Sequence, residues 1–127
     1  MSDVDRLAAE KYVLLTTFRK DGRAVPTPVW VVRYDDGLAV WTVRDSGKVK
    51  RLRRNSAVTV APCDARGRPH GEAVPGQASL IDSPADLARL RKLIRRKYPV
   101  LGPLTVLGSR IRRGREGTVG VRIRLPG

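Results

Sequence analysis

Trp41-Thr-Val-Arg-Asp-Ser-Gly-Lys-Val-Lys-Arg-Leu-Arg-Arg-Asn55 reads as the end of a strand, a short turn and then a strongly basic helix. Ser46 is a good N-cap, because its hydroxyl can accept from an orphan N–H of the first turn. Gly47 lets a ligand come close to the backbone. The free amides and the dipole of the helix start favour an anion. Lys48 and Arg51 lie three residues apart and share a face, so Ser46, Lys48 and Arg51 form a candidate phosphate cradle. Lys50, Arg53 and Arg54 are expected to point elsewhere, either solvated or serving a longer anionic ligand. The competing reading of the whole stretch is an ordinary solvated cationic face.

Outward from this stretch, turn signals cut the chain into short strands. Residues 12–18 are β-branched and aromatic, and Lys20-Asp21-Gly22 predicts a hairpin turn into a second strand over 24–34. Pro26 and Pro28 mark the first part of that strand as an edge or bulge. Asp35-Asp36-Gly37 is a further turn, leading to strands over 38–43, 57–63 and about 72–81, the last interrupted near Pro75-Gly76. A final strand over 118–125 has Val119, Val121, Ile123 and Leu125 on one face. Residues 2–10 predict a short leading helix. Ser83, Pro84 and Asp86 predict a capped helix whose stripe is Leu87, Leu90, Ile94 and Tyr98. Leu104, Leu107 and Ile111 hint at one more. Six strands with few helices predict a mainly β fold: an antiparallel closed or split barrel in a single domain over 1–127, with a two-layer α+β sheet as the alternative.

The chain has 127 residues, 41% of them hydrophobic, enough for one core. Its net charge is +14 and its pI about 11.3, so its partners are anionic: nucleic acid, a membrane surface or a phosphorylated small molecule. Aromatic residues are only 5%, and the arginines spread over several elements without a nucleic-acid module, which argues against the first. One cysteine excludes an internal disulfide framework and fits a reducing cytoplasm. No signal peptide and no apolar run of membrane-spanning length is expected.

Side chains able to do chemistry are few. His70 is the single histidine and cannot build a metal site with others; it reads as a surface loop residue. Cys63 lacks metal-ligand spacing and an obvious base, so a buried small residue is the better reading. Neither is expected to have a partner that tunes it. Trp30 and Trp41 lie on strands, as core or as the lining of a ring-binding groove. No nucleophile elbow, Walker loop or dinucleotide fingerprint occurs. No catalytic side chain and no metal ligand is assigned, so such a chain either binds only or leaves the chemistry to a cofactor.

Leu14 to Arg23, Thr27-Pro-Val-Trp30, Trp41-Thr42, Ser46 to Arg54 and Ala61-Pro-Cys-Asp-Ala-Arg-Gly67 together resemble the actinobacterial, deazaflavin-dependent branch of the pyridoxamine 5'-phosphate oxidase-like family. The resemblance covers about residues 7–125. It implies a six-stranded split β-barrel and a homodimer with cofactor sites at the subunit interface. The implied cofactor is coenzyme F420, a deazaflavin with a phosphate and an acidic tail; relatives use flavin mononucleotide (FMN). It implies an oxidoreductase acting on a small unsaturated or electron-poor molecule. Ser46, Lys48 and Arg51 match the phosphate binders, with Thr42 and Val43 at the strand end beside them. Pro28, Val29 and Trp30 match the strand along the ring, and Ala61, Pro62 and Cys63 fall near the same groove. The further substrate-binding segments of the pyridoxamine phosphate oxidases proper have no counterpart here. Val119–Leu125 and the apolar part of 104–111 are candidate dimer contacts.

Overall fold

Alternation builds the first strand. Along β1 (Tyr12–Phe18) every second residue, Val13, Leu15 and Thr17, is buried and the residues between are half-exposed, as a period of two requires. The computed structural model describes residues 2–43, 47–98 and 118–126. In chain order the elements are α1 (Asp3–Ala8), β1, β2 (Ala24–Val29), β3 (Val32–Tyr34), β4 (Gly37–Val43), α2 (Gly47–Arg54), β5 (Ala57–Cys63), β6 (Val74–Ile81), α3 (Pro84–Lys97) and β7 (Thr118–Arg124).

The strands form one antiparallel sheet in the order β2-β1-β5-β6-β7-β4-β3. Its two edge strands, β2 and β3, are consecutive in the chain, joined only by Trp30 and Val31. Three residue steps reach at most about 11 Å. A flat seven-stranded sheet would hold its edges about 29 Å apart, at six strand spacings. The sheet must therefore roll up until its edges meet at the Trp30–Val31 corner, and it is a barrel for that reason. The expected single strand over 24–34 is two strands, because the chain turns this corner halfway; the barrel has seven strands where six were expected.

Prolines sit where a ladder is open. Pro26 and Pro28 lie on the edge strand β2. Pro62 pairs with β1 beyond the last residue that β6 reaches, and Pro75 pairs with β5 before the β6–β7 ladder begins at Gln77. A missing N–H costs nothing there, so β6 runs without the expected interruption. On β7, Val119, Val121 and Ile123 share one face as expected, but they are fully buried within the chain, since the rolled sheet turns that face inward. They are core, and the expected dimer contact on this strand is wrong. The hinted helix over 104–111 lies outside the described residues.

Two apolar clusters fill the fold. One lies inside the barrel around Leu15, Val40, Val60, Val121 and Ile123, with Leu52 of α2 plugging it. The other packs Leu87, Leu90, Ile94 and Tyr98 of α3 against Val32, Tyr34, Ala39, Trp41 and Ile81. Ser83 caps α3 as its sequence predicts, accepting from the Asp86 N–H at 3.3 Å. Ser2 caps α1 in the same way.

Helix α3 seats on the sheet at Gly120. A Cβ there would come within 2.5 Å of Leu90 Cδ2 and 3.1 Å of Ile81 Cβ, both buried. Gly120→Ala should therefore destabilise the protein by roughly 1–3 kcal/mol, the usual cost of overpacking. Urea unfolding followed by circular dichroism checks this, and a loss below about 0.5 kcal/mol would mean that α3 shifts freely.

Candidate anion-binding site

The start of α2 carries the arrangement anticipated from Gly47 and Arg51, with different neighbours. The Arg51 guanidinium folds back over Gly47, where a Cβ would lie 2.8 Å from its Nη1. Its Nε–H donates to Thr17 Oγ1 on β1 at 2.6 Å, which fixes the plane of the group. Burial, helped by the Arg19 and Arg54 charges, makes Arg51 easier to deprotonate than a free arginine. These are the signs of a cation held among cations.

Around Arg51 opens a cavity of about 540 Å³, lined by Arg19, Lys20, Asp21, Arg23, Gly47, Lys50, Arg51 and Arg54. Gly47, Lys50, Arg51 and Arg54 follow i, i+3, i+4 and i+7 spacing, so one face of α2 supplies them all. The expectation that Lys50 and Arg54 point elsewhere is therefore corrected. Lys48, about 100° round the helix from Gly47, is partly buried and lies outside this lining.

The opposite wall is the β1–β2 turn. The Arg19 N–H donates to the Arg23 carbonyl at 2.9 Å, and Gly22 takes a positive φ of 90°. Asp21 is held inside its own turn, accepting from the Arg23 backbone and its Nε at 3.0 and 2.9 Å, which keeps its carboxyl below the usual carboxylate range. Six cations thus face the cavity against one carboxylate that is already paired. The contribution of this turn escaped the sequence reading, in which Lys20-Asp21-Gly22 signalled a turn and nothing more. Its three basic residues were visible; their meeting with α2 was not.

Five of the remaining candidate residues lie beside β1. Leu14 has Pro28 on one side and Ala61 on the other; Val13 has Val29 and Pro62; Tyr12 has Cys63. Three adjacent strands thus bring five of the candidates, Pro28, Val29, Ala61, Pro62 and Cys63, to one end of the sheet. The loop after β5 folds back over them: the His70 N–H donates to the Pro62 carbonyl, and Gly67 lies against Leu14 and Pro28. Ala61, Pro62 and Cys63 are buried. Trp30 sits at the β2–β3 corner, stacked on Tyr98 with ring centroids 4.2 Å apart. Thr42 is buried on β4 opposite Val119, and Val43 ends that strand opposite Thr118. Ser46 lies outside the described residues.

Burial pushes the Cys63 thiol up, with the Asp64 and Glu10 charges adding to it, so it is a poor nucleophile. His70, expected to lack a partner, places Nε2 at 3.1 Å from Glu10 Oε1, because its loop returns to the start of β1. Both groups remain partly exposed, and the pair reads as a surface contact. Among the described residues no group of three or more histidine, cysteine or acidic side chains could hold a metal. No described helix is long and apolar enough to cross a membrane.

No curated protein matches this chain. Several solved structures do. A conserved hypothetical protein from Mycobacterium tuberculosis superposes with a TM-score of 0.74 at 25% identity, over 100% of this chain and 82% of that one. An F420 reductase superposes at 0.71 with 21% identity, over 100% of this chain and 96% of that one. The heme storage protein HutZ from Vibrio cholerae superposes at 0.68 with 14% identity, over 98% and 89%. The last two are distant enough to speak for the fold alone, and their names differ in ligand. A family described as pyridoxamine 5'-phosphate oxidase matches residues 4–116, almost the whole length. By that match and by its rolled seven-stranded sheet, the chain belongs to the pyridoxamine 5'-phosphate oxidase family of split barrels.

Proposed function

We propose that this protein is an oxidoreductase that uses the deazaflavin coenzyme F420 and reduces an unsaturated or electron-poor organic molecule. The observation that carries this reading is the cavity with six cations and one paired carboxylate. A lone phosphate brings about two negative charges and leaves most of these cations without a partner; a phosphate with an acidic tail answers more of them. The residues present suit such a group. Arg51 is pre-aimed by Thr17, and the missing side chain at Gly47 lets its guanidinium lie over the start of α2. The cavity adjoins the end of β1, while Pro28, Leu14 and Ala61 lie four residues back along that strand, roughly 13 Å away. A ring and a phosphate joined by a short chain span that length.

In this reading Arg51, Lys50 and Arg54 hold the phosphate and tail, with Ser46 completing the cradle at the helix start, while Lys48, on another face of α2, stands outside it. Pro28, Val29 and Trp30 lie along the ring, Thr42 and Val43 border it, and Ala61, Pro62 and Cys63 support the strand behind. Once bound, the deazaflavin supplies hydride transfer. The protein's part is to bind, orient and keep water out. The working form is a cytoplasmic homodimer whose second subunit completes a groove that is shallow in one chain. Two alternatives remain within the family: an oxidoreductase using FMN, and a cofactor carrier without turnover.

Titrating the purified protein with F420 and with FMN should show the tighter binding for F420. Substrate-dependent oxidation of the reduced cofactor then separates an enzyme from a carrier. Equal or tighter FMN binding would overturn the choice of cofactor. Light scattering at micromolar concentration should exceed a 14.0 kDa particle, the mass of one chain.

Charge-assisted hydrogen bonds contribute about 1.5–3 kcal/mol each. Lys50→Ala with Arg51→Ala should thus weaken F420 binding about a hundredfold or more, whereas Arg53→Ala, outside the cavity, should change it less than threefold. Isothermal titration at two salt concentrations checks this: equal small losses that fade with salt would mark a merely solvated face. Cys63→Ala and His70→Ala should each keep more than half of the turnover, and loss of activity with cofactor binding intact would reveal a missed catalytic group.

A further inference from the structure

The C-terminal end of α3 does something its sequence does not announce. Arg95, Arg96 and Lys97 read as cations placed to suit the dipole of their own helix. In the fold, Lys97 serves other elements. Its Nζ donates to the Ala8 and Glu10 carbonyls at 2.7 and 2.6 Å, and to the Val31 carbonyl at 2.7 Å. The first two are main-chain acceptors at and just beyond the C-terminal end of α1, where carbonyls otherwise lack partners. The third belongs to the corner that closes the barrel. All three ammonium hydrogens are used. Burial lowers Lys97 to about 8, partly opposed by the Glu10 charge, which leaves the amine charged at neutral pH.

Tyr98, the next residue, reaches the same corner. Its hydroxyl donates to the Lys11 carbonyl at 2.8 Å, and accepts from the Val31 N–H at 3.2 Å. Its ring stacks on Trp30 with an interplanar angle of 9°. Two consecutive side chains therefore hold both flanks of the Trp30–Val31 corner, one through Val31 and one through the Trp30 indole. Tyr98 is 5% exposed, whereas Trp30 is only partly buried, so the stack has a protected side and an accessible side.

We propose that Lys97 and Tyr98 are positioning residues for the ring-binding end of the groove, a clamp that sets the Trp30 indole and the end of β2 where a planar ring lies against them. This rests on the cofactor reading above for what the ring is, but not for the clamp itself. The anion cavity lies at the other end of β1 and shares no residue with the clamp. Perturbing Lys97 or Tyr98 should affect ring binding and spare anion binding, a split that a general loss of stability would not give.

The test uses probes that separate the two ends. 5-Deazariboflavin and riboflavin carry a ring and no phosphate; inorganic pyrophosphate carries charge and no ring. Lys97→Met and Tyr98→Phe should raise the Kd for the ring probes at least tenfold and leave that for pyrophosphate within twofold. Lys97→Arg, which keeps the charge, should recover part of the loss. Arg51→Ala should show the reverse pattern. Independently of any ligand, acrylamide quenching of Trp30, taken as the difference from a Trp30→Phe control, should rise at least twofold in Lys97→Met and Tyr98→Phe. If Lys97→Met does not fold, Tyr98→Phe decides, since it removes one hydroxyl and keeps the stacked ring. Folded variants with wild-type ring binding and quenching would overturn the clamp, as would equal losses for ring and pyrophosphate. A wild-type protein that binds neither ring defeats the cofactor reading, and the quenching arm then decides the clamp by itself.

Discussion

Closure at Trp30–Val31 is the constraint on which the rest of this molecule depends. The edges of the sheet are covalent neighbours, so the sheet can exist only as a barrel. A corner of two residues has little hydrogen bonding of its own, and buried main-chain groups there need partners from elsewhere. Lys97 and Tyr98 supply them from α3, reaching back 66 and 67 positions in the chain. The same contacts tie down α1 through Ala8 and Glu10. One helix end thus joins three parts of the fold that hydrophobic burial alone would leave free to slide.

Charge is distributed with equal consequence. The chain carries +14, yet several of its arginines are answered locally: Arg6 by Asp3, Arg33 by Asp5, and Arg89 and Arg122 by Asp35. Those pairs are partly or fully exposed and contribute little to stability. Six of the remaining cations meet where the β1–β2 turn faces α2. Burial lowers Arg51, and the Arg19 and Arg54 charges beside it add to that shift.

Much of the fold was legible because it follows from local rules. β-Branched and aromatic composition between turn signals placed β1 and β5 at their observed bounds, the Ser83-Pro84-Asp86 signature placed the start of α3, and the count of strands against helices pointed to a barrel before the family motifs did. The failures share one origin. Residues 24–34 are evenly β-forming, and nothing local marks a corner at Trp30–Val31. Pro75 reads locally as a break, because its harmlessness depends on where the partner strand begins. The apolar face of β7 reads equally well as a subunit contact, because an apolar face does not say whether its own chain will cover it.

The candidate site divides along the same line. The sequence by itself determined that α2 begins at Gly47 and that it is basic, since turn signals and residue type are properties of one short segment. Only the tertiary structure decided which cations share a cavity. That selection needed the β1–β2 turn to fold onto α2, and it joined Arg19, Lys20 and Arg23 to Lys50, Arg51 and Arg54 across about thirty residues. It likewise decided that Lys97 holds two carbonyls at the end of α1 and one at the barrel corner, beyond any role at its own helix end. The physical reason is reach. Propensity and periodicity act over a few residues, whereas a flexible cationic side chain finds whichever carbonyls and anions the closed barrel brings within its length.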